Sequence, residues 1–146
     1  MRDPEAFLFV IDCLAEKFRP LKASYVAGIE ARGFILATAV AYKLGIGFIP
    51  IRKPGKLPYK VERVSYDLEY GQDSLEIHVD AVEKDGKVLL VDDLLATGGT
   101  AAAGIKLLEK IGASVVGVGF VVELAFLSGR EKLPNGMDAF SIIKYD

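Results

Sequence analysis

The chain has 146 residues, of which 51% are hydrophobic and 26% charged, and its formal net charge at pH 7 is −2. These values are typical of one folded domain over residues 1–146, and they exclude a disordered chain. The net charge gives no overall attraction to nucleic acid or to a membrane surface. One cysteine, Cys13, and one histidine, His78, exclude an intramolecular disulfide and an ordinary zinc site. We therefore expect a cytoplasmic domain with neither nucleic acid nor membrane as a partner.

The first half of the chain alternates helices with short strands. Asp3-Pro4-Glu5 predicts a helix start, because an N-cap acid precedes a proline at the first helical position. Apolar residues then recur at helical spacing and stop before Pro20. Apolar strands are predicted at residues 25–29 and 47–51, and the helix between them covers residues 34–44.

A long basic loop and a hairpin begin the second half. Residues 52–64 carry prolines, glycines and basic residues without a clear period, which predicts a loop. The alternating segments on either side of Gly71-Gln72-Asp73 predict an antiparallel hairpin. The predicted elements of this half are hairpin strands at 65–70 and 74–79, strands at 87–91, 115–122 and 139–144, and a helix at 100–111.

The order of these elements predicts an α/β fold. Strands that are apolar throughout and alternate with helices favour a mostly parallel, twisted sheet with helices on both faces. In such sheets ligands bind beyond the carboxyl ends of the strands. Three polar segments fall at those ends, namely Glu30–Gly33, Arg52–Lys56 and Asp92–Thr100. The sequence therefore predicts one ligand site built from these three segments.

Residues 88–100 carry the clearest chemical signal, reading Val-Leu-Leu-Val-Asp-Asp-Leu-Leu-Ala-Thr-Gly-Gly-Thr. Glycines at a helix start let backbone N–H groups surround an anion, and the helix dipole adds to the attraction. A nucleoside triphosphate loop would need a lysine after Gly99, and none follows. Asp92 and Asp93 can accept hydrogen bonds from a sugar diol or from metal-bound water, although they could instead only cap a turn. The string predicts a binding site for a phosphorylated sugar.

This string resembles the phosphoribosyl pyrophosphate signature of type I phosphoribosyltransferases. Residues 28–34, 51–58, 65–71 and 129–133 are similar, in order and spacing, to the adenine phosphoribosyltransferase family. The resemblance implies the type I phosphoribosyltransferase fold, with a flexible loop beside the hairpin. It also implies purine salvage, in which phosphoribosyl pyrophosphate and adenine give AMP and pyrophosphate with Mg²⁺ as cofactor.

The resemblance assigns the sugar and the leaving group to different segments, and it implies a cis peptide in the loop that faces pyrophosphate. The residues implied to hold the 5′-phosphate are Ala96, Thr97, Gly98, Gly99 and Thr100, and those implied to bind the ribose hydroxyls, with Mg²⁺ nearby through substrate and water, are Asp92 and Asp93. The residues implied to face pyrophosphate are Glu30, Ala31 and Arg52, together with Arg32, Lys53 and Lys56 in catalytic roles.

The hairpin and the basic loop are implied to complete the site. Glu69 resembles the family's proton-handling carboxylate near the purine, and Tyr70 is implied to lie at the substrate. Residues 54–64 are expected to close over the substrates and exclude water from an oxocarbenium-like transition state. A basic residue of this loop reaches the neighbouring subunit's site in the family, so a homodimer is implied. The alternatives are an outward-facing Glu69 and a solvated basic loop.

The start of the chain departs from the family pattern. Family members carry, ahead of the first helix, a segment rich in Pro, Phe and Gly that forms a hood over the purine. Here Met1-Arg2 runs directly into Asp3-Pro4-Glu5. We expect either a truncated form or another mode of base recognition. The alternative function is a protein that binds phosphoribosyl pyrophosphate with altered base specificity, or with weak or no turnover.

Overall fold

A sheet of five parallel strands lies at the centre of the structure, between two hydrophobic cores. The structure, a computed structural model, describes residues 2–67 and 71–146. The helices are α1 (Pro4–Phe18), α2 (Arg32–Leu44) and α3 (Gly99–Lys110), and 3₁₀ turns cover Arg19–Leu21, Ala125–Leu127 and Gly129–Lys132. The strands are β1 (Tyr25–Ile29), β2 (Gly47–Ile51), β3 (Val61–Asp67), β4 (Gln72–His78), β5 (Lys87–Leu95), β6 (Ser114–Leu124) and β7 (Ala139–Tyr145).

The order of the strands opens a crevice between β1 and β5. The parallel strands lie in the order β2-β1-β5-β6-β7, so the chain leaves β1 toward one edge and later continues on its other side. Ligands bind at such a switch point because the loops after the two strands diverge and leave space between them. β3 and β4 form a separate antiparallel hairpin. The predicted mostly parallel α/β sheet with its hairpin is confirmed.

Alternate side chains of β5 enter the two cores. Leu89 and Val91 are buried with residues of α1 and α2 on one face, among them Phe18. Val88 and Leu90 are buried with α3 and the hairpin on the other. Both faces of the central strands are therefore covered, which leaves the carboxyl edge of the sheet for polar chemistry. Within the described residues, no helix is long and apolar enough to cross a membrane.

Several strands begin earlier or end later than the sequence pattern indicated, and two of these differences, in β3 and β5, bear on the site. β3 begins at Val61, inside the predicted loop, because its residues pair with β4 and Val64 is buried in the core. The polar residues between Val61 and Val64 interrupt the alternation of apolar and polar residues from which a strand is predicted. β5 continues past Val91 because Asp92 and Leu94 still pair with β6. The two aspartates are therefore held on a paired strand, and their positions are fixed by the sheet.

Candidate functional site

A cleft of about 430 Å³ opens at the carboxyl edge of β1 and β5. Residues 29–32 line it after β1, and residues 92–101 line it from β5 into the start of α3. Lys53, Tyr66 and Asp73 reach it from the basic loop and the hairpin. The three segments that the sequence placed at strand ends therefore all contribute to this cleft.

The turn between β5 and α3 has the geometry of an anion cradle. Gly98 is the N-cap of α3 with φ of +79°, and its carbonyl accepts a hydrogen bond of 2.9 Å from the N–H of Ala102. The first N–H groups of a helix have no partner within the helix and attract anions. Thr97 and Thr100 line the cleft beside them. A phosphate in the cradle would receive both backbone and hydroxyl hydrogen bonds.

The loop after β1 lies directly against the two aspartates. Its Glu30–Ala31 peptide bond is cis. A Cβ atom on Gly33 would lie 2.8 Å from a carboxylate oxygen of Asp92, so the absence of a side chain permits this approach. The Nε atom of Arg32 lies 2.5 Å from Oδ2 of Asp93. This ion pair joins the segment assigned to pyrophosphate to the segment assigned to ribose.

The two aspartates differ in their surroundings. Burial raises the pKa of Asp92 to about 7, and the neighbouring Asp93 carboxylate acts in the same direction. The backbone N–H of Asp93 donates a 2.9 Å hydrogen bond to Oδ1 of Asp92 and opposes the rise in pKa. These surroundings favour the neutral form of the Asp92 carboxyl more than water does. A cation or hydroxyl donor bound in the cleft would favour the charged form.

The side chain of Glu30 binds the basic loop. Its carboxylate lies 3.0 Å from the backbone N–H of Lys53 and 3.3 Å from Nε of Arg52, and both groups donate to it. Lys56 donates from Nζ at 2.5 Å. The Lys56 ammonium is the main cause of a pKa of about 2 for Glu30, and the other donors lower it further. Glu30 is therefore ionised and holds the loop at the end of β1.

The pH dependence of stability should report this cluster. The pKa of Glu30 is lowered on folding, so its stabilisation is present above its ordinary pKa and is lost as pH falls toward about 2. Glu30→Gln should lower the free energy of unfolding at pH 7 by on the order of 2 kcal/mol. The difference from wild type should shrink as pH falls, which urea unfolding from pH 7 to pH 2 measures. A difference that stays constant across this range would contradict the assignment.

Glu76 holds the basic loop from the other side, and sequence reasoning missed it. Its side chain is almost fully buried, with 2% exposure of the residue, and it accepts from the N–H of Gly55 at 2.9 Å and from Nε of Arg63 at 2.8 Å. The backbones of Arg52 and Glu76 also exchange two hydrogen bonds, of 2.9 and 2.8 Å. Arg63 lowers the pKa of Glu76. The loop is thus held between two ionised carboxylates.

A second network connects the basic loop to the phosphate cradle. The Lys53 ammonium donates to the carboxylate of Asp73, and to the hydroxyl of Tyr66 at 3.3 Å. The Tyr66 hydroxyl donates to Asp73 at 3.2 Å and accepts from the Thr100 hydroxyl at 3.4 Å. Sequence reasoning placed Asp73 in the hairpin turn, but it belongs to β4. These contacts keep the Lys53 ammonium at the cleft.

The predicted site residues fall into three groups. Arg52 and Lys56 donate to Glu30 and do not line the cleft. Glu69 and Tyr70 lie outside the described residues. Those that line the cleft are Glu30, Ala31, Arg32, Lys53, Asp92, Asp93, Ala96, Thr97, Gly98, Gly99 and Thr100.

Comparison with known proteins assigns this arrangement to a family. A profile of the family described as "Phosphoribosyl transferase domain" matches residues 3–140. The adenine phosphoribosyltransferase of Solibacter usitatus is 56% identical over 146 residues, covering 100% of this chain and 84% of that relative. The adenine phosphoribosyltransferase of Maridesulfovibrio salexigens is 57% identical over 144 residues, covering 99% of this chain and 84% of that relative.

Solved structures give the same result. The adenine phosphoribosyltransferase of Thermoanaerobacter pseudethanolicus superposes with a TM-score of 0.95 at 50% identity, covering 99% of this chain and 83% of that one. The Saccharomyces cerevisiae enzyme, solved with adenine and an imino-altritol bisphosphate, gives 0.89 at 41% identity, covering 97% of this chain and 81% of that one. The chain belongs to the phosphoribosyltransferase family and, within it, to the adenine phosphoribosyltransferases, the transferases of purine salvage.

Proposed function

We propose that residues 1–146 form one phosphoribosyltransferase domain, which moves the phosphoribosyl group of phosphoribosyl pyrophosphate to adenine and yields AMP and pyrophosphate. The observation that carries this proposal is the single cleft in which an anion cradle, paired carboxylates and cationic side chains lie side by side. A substrate with phosphate at one end, pyrophosphate at the other and ribose between them fits this order.

The sugar half of the substrate would lie on β5 and α3. The backbone of residues 96–100 and the hydroxyls of Thr97 and Thr100 would hold the 5′-phosphate at the helix start. The carboxylates of Asp92 and Asp93 would accept hydrogen bonds from the ribose hydroxyls. Contacts at both ends of the sugar would fix the carbon at which bonds break and form, which lowers the entropic part of the barrier.

The leaving group would lie on the cationic side of the cleft. Departure of pyrophosphate breaks the bond from the ribose carbon to oxygen and leaves negative charge on the pyrophosphate. Arg32 and Lys53 line the cleft and would stabilise this charge. Arg52 and Lys56 lie on the loop held by Glu30 and would add positive charge to this side of the cleft.

Mg²⁺ is the cofactor that we propose for this site. Within residues 2–67 and 71–146, no three His, Cys, Asp or Glu side chains come together as a protein metal cage. Mg²⁺ commonly keeps several waters and binds through one or two carboxylates and substrate phosphates. Asp92 and Asp93 fit that arrangement and would hold the ion through water. The bound ion would offset negative charge on the pyrophosphate oxygens.

A carboxylate near the purine would handle the proton that the base gives up. We assign this role to Glu69, with Tyr70 beside the substrate, on the basis of the resemblance of residues 65–71 to the family. Glu69→Ala should lower kcat by about 100-fold, with a smaller effect on KM, because a general acid–base group acts mainly in the transition state. Steady-state kinetics with adenine measures both constants.

A matched control lies on β3. Glu62→Ala removes a carboxylate that pairs with Lys110, and it should leave kcat near the wild-type value. If Glu69→Ala also keeps wild-type kcat and KM, the side chain of Glu69 has no part in catalysis.

Turnover with different bases tests the overall reaction. Consumption of phosphoribosyl pyrophosphate would be followed with adenine, guanine, xanthine and orotate in turn, with and without Mg²⁺. We expect AMP formation with adenine and Mg²⁺ and little turnover with the other bases. Tight binding of phosphoribosyl pyrophosphate without turnover of any base would overturn the enzymatic function.

We propose a cytoplasmic homodimer that contacts neither nucleic acid nor membrane. Large apolar side chains are exposed on α1 and α2, among them Leu8, Phe9, Ile35 and Tyr42, of which Tyr42 is 89% exposed. A second copy of the chain would remove such side chains from water, which is the role that we propose for these two helices. Sedimentation equilibrium tests the assembly, and the mass of a single chain would contradict it.

A further inference from the structure

The segment after β6 lies directly behind the phosphate cradle. The chain leaves β6 through a 3₁₀ turn at Ala125–Leu127, and Ser128, with φ of 52°, leads into a second turn at Gly129–Lys132. Gly129 is buried. Residues 129–133 belong to the part of the sequence that resembles the family, yet none of them lines the cleft described above.

Gly129 and the cradle contact each other through their backbones. A Cβ atom on Gly129 would overlap the carbonyl oxygen of Ala96 and lie 3.0 Å from the backbone nitrogen of Gly98. In the opposite direction, a Cβ atom on Gly98 would overlap the carbonyl oxygen of Gly129. No flexible side chain lies between the two segments at this point, so a shift of one backbone moves the other.

This contact fixes the direction of a donor in the cradle. The carbonyl oxygen of Ala96 lies on the side of Gly129. In a trans peptide the C=O and the following N–H lie in one plane and point in opposite directions. The N–H of Thr97 therefore points away from Gly129, and Thr97 lines the cleft. A small rotation of this peptide would turn a phosphate donor away from its ligand.

Arg130 anchors the segment to the sheet. Its guanidinium donates to both carboxylate oxygens of Glu123, each at 2.6 Å, and Glu123 is almost fully buried on β6. It also donates to the carbonyl of Ala139 on β7 at 2.8 Å. A bidentate arginine–carboxylate pair fixes both distance and orientation. The residue next to Gly129 is thereby tied to two neighbouring strands.

We propose that Gly129 and Arg130 are positioning residues for the 5′-phosphate, acting through the backbone of residues 96–98. Arg130, held by Glu123, fixes the position of the turn relative to the sheet. Gly129 fixes the position of the cradle through its backbone contact with residues 96–98. The proposal rests on the proposed function, because it takes the cradle as the phosphate site. Binding of the phosphate end of the substrate depends on this support, whereas binding of the pyrophosphate end does not.

Binding measurements with two separate ligands test this separation. Calorimetry would give Kd for ribose 5-phosphate and for inorganic pyrophosphate with wild type, Gly129→Ala, Arg130→Met and Arg130→Lys. Gly129→Ala and Arg130→Met should raise Kd for ribose 5-phosphate about tenfold or more, since small displacements of positioned donors are costly. Kd for pyrophosphate should change by less than about threefold. Arg130→Lys should give an intermediate loss, because lysine keeps the charge and lacks the planar fork.

An exposed residue of the same turn provides the control. Glu131→Ala removes an exposed side chain from the same turn, and it should leave both Kd values unchanged. Wild-type affinity for ribose 5-phosphate in Arg130→Met or Gly129→Ala, or equal weakening of both ligands, would overturn the proposal. If Gly129→Ala and Arg130→Met do not fold, Arg130→Lys provides the test. Its Kd for ribose 5-phosphate should rise more than its Kd for pyrophosphate. Failure of wild type to bind ribose 5-phosphate would instead contradict the proposed function.

Discussion

Replacement of Asp93 by alanine is expected to raise KM for phosphoribosyl pyrophosphate by roughly 100-fold, because a charged hydrogen bond contributes about 1.5–3 kcal/mol. The change removes acceptors for the ribose hydroxyls. It also releases Arg32, whose Nε lies 2.5 Å from the Asp93 carboxylate. Both ends of the sugar substrate are therefore affected, whereas KM for adenine should stay within about twofold of wild type because the proposed roles of this pair are at ribose and pyrophosphate.

Two further variants separate the causes. Asp93→Asn keeps the shape of the side chain and loses its charge, so an intermediate rise in KM would assign part of the effect to the ion pair with Arg32. Asp138→Ala removes an exposed carboxylate that pairs with Lys17, remote from the cleft, and should leave both KM values unchanged. An unchanged KM for phosphoribosyl pyrophosphate in Asp93→Ala would contradict the ribose assignment.

The general position of this site could be predicted from the sequence because it depends on local order. Apolar strands at residues 25–29 and 87–91, each followed by polar residues, predict that those residues meet at one edge of a parallel sheet. The structure has β1 and β5 as neighbours, with Gly28 opposite Val91. The glycines and threonines before α3 were likewise readable, since a tight turn into a helix has its own sequence pattern.

The partners of single carboxylates were not predictable in this way. Glu76 lies between Leu75 and Ile77 on β4, and simple alternation predicts that its side chain faces water. In the structure the basic loop covers that side of the hairpin, and Gly55 donates to Glu76 from a distant part of the chain. Alternation describes one strand and contains no information on which loop lies over it.

The hydrogen-bond partners of Glu30 could not be predicted from the local sequence either. The family resemblance implied that Glu30 lies in the loop that faces pyrophosphate, and it does border the cleft. Its hydrogen bonds, however, go to Arg52, Lys53 and Lys56. These contacts arise because β2 lies beside β1 and ends at the same edge of the sheet. Long-range pairing of charges follows from strand order, which a local pattern does not contain. The roles of Glu69 and Tyr70 stay predictions.

Replacement of Gly98 by alanine should abolish measurable binding of ribose 5-phosphate and lower the free energy of unfolding by roughly 2–5 kcal/mol. One part of this cost is the left-handed backbone, with φ of +79°. The other part is overlap of the new Cβ with the carbonyl oxygen of Gly129, together with a 2.9 Å approach to its carbonyl carbon. Calorimetry measures the loss of ribose 5-phosphate binding, and urea unfolding measures the loss of stability.

Gly112→Ala separates the backbone strain from the overlap. Gly112 has a similar φ, +86°, and a Cβ atom there would have no heavy atom within 4 Å. This variant should therefore lose only about 1–2 kcal/mol of stability, and it should bind ribose 5-phosphate like wild type. If Gly98→Ala costs no more than Gly112→Ala and still binds the ligand, the cradle tolerates displacement from Gly129. The shape of the cradle would then depend on its own glycines, and contact with the segment after β6 would not be needed.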